Sequence, residues 1–229
     1  MTFNIHGGRP AEGPVDLNAV AAVIHRLKPD LVALQEVHCF LPPPYAFQNQ
    51  PHQLRRLLGM ELYFGRALRL GPVAYGNAIV SRAPVERVRT RALATTRQWK
   101  GLEPRASMEA RVLLNEQQVR FLNTHLGLTP EQRCLQVRQI TQLVRSEPGP
   151  VIVAGDLNAT EDSVELQLLT EAGLSDCAAG GPPTFPAISP RCRIDYLLVS
   201  RHFAVERCFT EETEVSDHRP LIADLVLRD

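Results

Sequence analysis

Apolar residues along this chain fall in short runs closed by polar turns, and two of the runs end in acids. Leu31-Val32-Ala33-Leu34 passes into Gln35-Glu36, and Val151-Ile152-Val153-Ala154 passes into Gly155-Asp156-Leu157-Asn158. Such runs, four apolar residues bounded by turn formers, predict buried strands, here over 31–37 and 151–154. Further strands are predicted at 61–68, 75–81, 85–92, 106–114 and 118–125, with Asn115-Glu116-Gln117 as the turn between the last two. The last strands are predicted at 193–199, 204–209 and 221–227. Helical spacing recurs between them. Leu17, Val20, Ile24 and Leu27 share a face behind Asp16 as cap, with Pro29 as stop. Pro51 to Leu58 reads as a short helix closed by Gly59. Thr129 caps and Pro130 opens a helix reaching about Ser146, and another covers Ser163 to Ala172 before Gly173. Strand-rich halves with helices beside them predict two sheets face to face and helices outside. The order helix, strand, polar loop occurs twice, around Glu36 and around Asp156, which suggests a duplicated architecture without a sequence repeat.

Composition changes this picture little. A chain of 229 residues, 44% hydrophobic and 22% charged, predicts one soluble domain spanning 1–229. No apolar stretch approaches the roughly 18 to 20 residues that span a bilayer, and the start lacks a signal peptide, so a cytoplasmic location is expected. Five scattered cysteines (Cys39, Cys134, Cys177, Cys192 and Cys208) lack metal-ligand spacing and argue against a zinc site or a disulfide framework. Net charge is zero, yet residues 66–111 hold ten lysines and arginines against three glutamates, a local charge of +7. That segment suits either a phosphate-bearing substrate or a solvated strand face with outward arginines.

The chemistry sits where strands end. An unpaired carboxylate out of water is costly, so a strand finishing in an acid builds a poor core. It builds a good site for Mg²⁺ or Ca²⁺, which take hard oxygen ligands. Glu36 reads as such a ligand, or as a strand-end acid paired with an arginine. Asp156 and Asn158 are two apart, so in an extended segment they point the same way; the alternative is an Asx turn capping the following segment, which Gly155 also permits. Asn4 before Gly7-Gly8, His125 closing its strand and Asp195 opening another each have a structural reading as well. Asp217-His218 offers an imidazole that a buried carboxylate could hold in one tautomer. Each alone is ordinary, but so many polar residues at strand ends in one chain are not.

The ordered set Asn4, Gln35-Glu36, Gly76-Asn77-Ala78-Ile79, Asn123-Thr124-His125, Gly155-Asp156-Leu157-Asn158, Ile194-Asp195-Tyr196 and Ser216-Asp217-His218 resembles the endonuclease/exonuclease/phosphatase superfamily. The resemblance covers essentially the whole chain. It implies an α/β fold: a four-layer α/β/β/α, DNase I-like sandwich of two mixed, mainly antiparallel sheets. It also implies Mg²⁺-dependent cleavage of a phosphoester, with Mn²⁺ or Ca²⁺ as substitutes. Carried over by motif, Glu36 is the main metal ligand with Asn4 and Asp217 close by. Asp156 orients or deprotonates water, Asn158 holds the phosphoryl group, His218 pairs with Asp195 and acts as base or phosphate binder, and His125 contacts the scissile phosphate or helps the leaving oxygen. Asn77 and Arg105 are expected to face substrate. The partner is a phosphate ester, with nucleic acid favoured by the basic segment. The alternatives are a phospholipid or small-molecule phosphatase and a non-catalytic binding module. The tryptophan-containing signature of the inositol phosphatases is absent, Pro190-Arg191-Cys192-Arg193 being a distant echo, and the single Trp99 reads as a loop anchor or a stacking surface.

Overall fold

A computed structural model of the chain describes residues 1–10, 12–95, 103–114 and 116–228. Two six-stranded sheets face each other. The first holds β1 (Thr2–Asn4), β2 (Leu31–Cys39), β3 (Glu61–Leu70), β4 (Val73–Ser81), β11 (Phe203–Thr210) and β12 (Leu221–Leu227), in the order β11-β12-β1-β2-β4-β3. The second holds β5 (Val85–Ala92), β6 (Ala106–Leu114), β7 (Gln117–His125), β8 (Val151–Asp156), β9 (Leu174–Asp176) and β10 (Asp195–Ser200), in the order β5-β6-β7-β8-β10-β9. Among the described residues only β1–β2 and β7–β8 pair in parallel; every other pairing there is antiparallel.

The layers follow from which side chains alternate. Along β8, Ile152 and Ala154 face the other sheet, while Val151 and Val153 face α3 (Pro130–Ser146) and α4 (Val164–Glu171). An unbroken apolar run is what a strand covered on both faces requires. Along β2, Leu31 and Ala33 join the intersheet core, and Val32 and Leu34 pack under α1 (Leu17–Leu27) and α2 (Gln50–Leu58). The result is four layers, as expected. Local capping matches the residue types: the side chains of Asp16, Asn49, Thr129 and Ser163 accept from backbone amides at the four helix starts.

The two halves repeat one plan. The order β1-α1-β2-α2-β3-β4 is followed by β7-α3-β8-α4-β9-β10, and each set is arranged alike within its sheet. Each parallel pair therefore ends at a corresponding place, Asn4 beside Gln35 in one and His125 beside Asp156 in the other. Three cross-sheet bonds tie these ends together. Asn123 of β7 donates to the carbonyls of Leu34 (2.9 Å) and Ala78 (2.7 Å), and Gln35 donates to the Asn123 side-chain oxygen at 2.8 Å.

Short strand β9 is not visible in the sequence pattern: Leu174-Ser175-Asp176 is too brief to show alternation. Strand β10 starts at Asp195 rather than at residue 193, because Arg193 turns back to Asp176 and Glu161. Asn115 and Trp99 lie outside the described residues.

Candidate active site

Four strand ends converge on Asp156. Asn4 closes β1, His125 closes β7, Asp156 closes β8 and Asp195 opens β10, opposite Asp156 in the antiparallel register. Gly155 lets β8 lie close enough: its φ is +153°, and a Cβ there would sit 1.9 Å from the Thr124 carbonyl oxygen. No other residue type fits.

Glu36 reaches the same place by a different device. The β2–β4 register shifts between Leu34 and Val37, and Glu36 adopts φ +57° in the bulge. The bulge turns its carboxylate out of the pleat. Asn4 Nδ2 then bridges the two halves, donating to Glu36 Oε1 at 3.1 Å and to Asp156 Oδ2 at 3.0 Å.

Asn158 corrects an expectation. It does not share an extended segment with Asp156; its φ is +48°, and its backbone amide donates to Asp156 Oδ1 at 2.9 Å. The Asx turn, not strand alternation, brings the two together. The Asn158 side chain donates to the Leu126 carbonyl at 3.0 Å and lies 3.2 Å from His125 Nε2.

Two buried imidazoles flank Asp156 in opposite surroundings. His218 Nδ1 lies 2.9 Å from Asp195 Oδ2, and its Nε2 lies 3.7 Å from Asp156 Oδ2. Burial pulls this imidazole's pKa down, but the Asp195 and Asp156 carboxylates and the Asp195 hydrogen bond outweigh it and lift it to about 10. His218 is thus an imidazolium at neutral pH, donating from both nitrogens. His125 faces a cation instead. Arg105 Nη1 lies 2.9 Å from His125 Nδ1, with the Tyr75 hydroxyl 3.3 Å away. A guanidinium can only donate, so Nδ1 accepts and Nε2 carries the proton. Burial first, then Arg105 and His218, hold His125 well below its ordinary pKa and therefore neutral. Its Nε2 lies 3.4 Å from Asp156 Oδ2.

Burial raises the Asp156 pKa, and Asp195 adds to that against the pull of His218 and the donated hydrogen bonds, leaving it at about 6. Its ionised form therefore dominates at neutral pH while remaining basic enough to take a proton.

The expected site residues divide three ways. Asn4, Glu36, His125, Asp156, Asn158, Asp195 and His218 form one contiguous polar cluster. Asp217 stands at the rim, its side chain 35% exposed, 3.5 Å from His6 and held by Ser216, whose hydroxyl donates to the Asn4 carbonyl at 2.7 Å. Asn77 donates to the Ala106 carbonyl at 2.9 Å. Arg105, expected to face substrate, is 5% exposed and turned inward to Tyr75, His125 and Glu103. Tyr75 and Thr184, whose hydroxyl receives the amides of Ile194 and Asp195, escaped sequence reasoning because single hydroxyls carry no spacing signal.

The donor set fits a divalent cation at Glu36. Asp156, Asp195 and His218 offer ligand atoms within 4.8 Å of one another, but the imidazolium already compensates those carboxylates. Glu36 forms no ion pair among the described residues, and burial, reinforced by Asp156 and Asp217, raises its pKa despite opposition from Asn4 and His6. A hard cation held by Glu36, beside Asn4 and Asp217, would relieve that charge.

Residues 1–218 match the endonuclease/exonuclease/phosphatase family. The chain belongs to that family. Its members hydrolyse phosphoester bonds and generally depend on a divalent metal. A family protein from Beutenbergia cavernae superposes with TM-score 0.86 at 26% identity, over 99% of this chain and 70% of that one. A mannosyl-6-phosphatase from Bacteroides thetaiotaomicron gives 0.79 at 20% identity, over 99% and 98%. Zebrafish (D. rerio) TDP2, complexed with a single-strand DNA product, gives 0.73 at 17% identity, over 98% and 97%. No curated protein matches the chain.

Proposed function

We propose that this family member is a divalent-metal-dependent phosphodiesterase, nuclease-like in substrate, that cleaves a P–O bond by direct attack of an activated water. One observation carries the reading. A carboxylate with pKa about 6, Asp156, lies between a neutral imidazole and a charged one, in contact through Asn4 with the carboxylate suited to a metal.

Such a pairing of differently tuned groups assigns their roles. Asp156 is the base: its carboxylate takes the proton as the water oxygen bonds to phosphorus. His218, already protonated, cannot take that proton and instead donates from Nε2 to a phosphoryl oxygen, while Asp195 holds its Nδ1–H. His125 Nε2–H, beside Asn158, supplies a neutral donor on the other side, where negative charge grows as the leaving P–O bond breaks. Asn4 fixes the spacing between base and metal ligand. A cation at Glu36 would supply Lewis-acid neutralisation of phosphoryl charge. Burial raises the thiol pKa of nearby Cys192, so it stays protonated, and the Ser216 hydroxyl is committed to the Asn4 carbonyl; neither supports a covalent nucleophile.

The test is a panel with Mg²⁺, Mn²⁺, Ca²⁺ or EDTA. Its substrates are plasmid DNA, abasic-site oligonucleotide, RNA, sphingomyelin, inositol phosphates and bis-p-nitrophenyl phosphate. Turnover of a diester that EDTA abolishes, with oxygen from labelled water in the product phosphate, is expected. No turnover on any substrate with any metal would overturn the proposal.

A further inference from the structure

The basic stretch seen in the sequence divides once folded. Arg87 and Arg89 stand exposed on β5 at the edge of the second sheet, and Arg91, Arg105 and Arg111 each meet a glutamate. Arg66 and Arg69, both exposed, form no ion pair among the described residues. With Arg55 and His52 of α2 they line a cavity of about 530 Å³ on the outer face of the first sheet. Among the described residues no aspartate or glutamate lines it. Arg55 alone is engaged from outside, by Glu61 at 2.9 Å.

Three guanidiniums around one concavity without a lining carboxylate make a local field that draws a polyanion. The same walls carry Phe40, 38% exposed, and the half-buried Phe64. Cationic side chains interleaved with aromatic faces are the composition that holds a flexible strand, phosphates on arginines and bases on rings. Position adds to the argument. Cys39 and Phe40 bound the cavity three and four residues beyond Glu36, about 10 Å along extended chain.

We infer that this groove is a second substrate-binding site. It holds a single-stranded nucleic-acid segment a few nucleotides from the scissile phosphate, which rests on the phosphodiesterase reading above. Arg66 and Arg69 grip phosphates, and Phe40 and Phe64 receive a base.

The experiment compares wild type, R66E/R69E and the control R87E/R89E from the exposed strand. Fluorescence anisotropy of a labelled oligothymidylate in EDTA reads binding at several salt concentrations. Hydrolysis of bis-p-nitrophenyl phosphate, too small to reach the groove, reads the reaction centre. For R66E/R69E we expect at least about tenfold weaker oligonucleotide binding and a salt slope smaller by about 1.4, from two lost phosphate contacts. Turnover of the small diester stays within about twofold and circular dichroism is unchanged, while R87E/R89E binds as wild type. The inference is overturned if wild type does not bind the oligonucleotide, if R66E/R69E binds it as tightly as wild type, or if R87E/R89E loses as much. It is equally overturned if R66E/R69E loses binding only to inositol phosphates or anionic vesicles. Binding lost as expected in a protein that cleaves no diester leaves the groove standing and removes the catalytic reading instead.

Discussion

His125 and His218 sit on either side of Asp156, 3.4 and 3.7 Å from the same oxygen, and are 3% and 5% exposed. Burial pushes both toward the neutral form. They nonetheless end in opposite states, because His218 looks at two carboxylates and His125 looks at a guanidinium. The lesson is that depth sets the penalty for charge, and the sign of the nearest partner decides whether it is overcome. A pocket with one imidazolium and one neutral imidazole can give charged and uncharged donors to one phosphoryl group while leaving Asp156 as the base.

Removing the charged member tests this most severely. His218→Ala should lower kcat about 10²–10³-fold at neutral pH, the usual range for loss of a preorganised donor to a developing oxyanion. Steady-state kinetics showing near-full turnover would refute the role given to His218. Asp195→Asn leaves the imidazole in place and removes its anion, so the His218 pKa should fall from about 10 and kcat should drop about 100-fold, a loss of about 2.7 kcal/mol. Proton NMR of the ring reads the first effect and kinetics the second.

The pH profile of wild type separates the base from the donor. With Asp156 raised to about 6, kcat/KM should climb as pH rises through 6 and its carboxylate ionises, then fall near 10 as His218 deprotonates. A profile that instead rises through His218 would make that imidazole the base.

A stability measurement isolates the same group without substrate. The folded pKa of His218, about 10, exceeds its unfolded value of 6.5, so its contribution is full below 6.5 and is lost as pH rises through 10. Asp156, near 6 when folded, has finished titrating by pH 8, and the Met1 amine, lowered from 8.0 to about 6 by burial, contributes equally to wild type and His218→Ala and cancels in their difference. Chemical denaturation of metal-free protein should therefore show stability falling between pH 8 and 10 by about 1 kcal/mol per pH unit more than in His218→Ala.

The neutral member gives the smallest effect. Arg105→Met removes the cation beside His125, so that ring's pKa should rise toward its ordinary value, with kcat lowered about tenfold. An unchanged ring titration would mean burial alone holds His125 neutral.

Much of the site was legible in the chain because strands that end in acids violate the rule for building cores. Glu36 and Asp156 could be picked out for that reason and Asp195 as an acid opening an apolar strand, while two facing sheets with helices outside followed from strand-rich halves with helices beside them. Asn158 was found for the wrong reason: strand alternation was expected, and a left-handed Asx turn does the work. Arg105 was placed facing substrate, and its inward turn toward Tyr75 and His125 depends on β4 and β7 meeting across the intersheet gap. The arginines at 66 and 69 looked equivalent to those at 87 and 89, since charge counting is blind to concavity.

Local chemistry in the sequence settled which residue types occupy the strand ends, because φ preferences, capping and side-chain periodicity act over a few positions. Which imidazole carries a proton, which acid is left for a metal, and which arginines share a groove depended on partners that only the fold brings together. Coulomb energy falls with distance through space rather than along the chain, so only the folded arrangement could assign those charges.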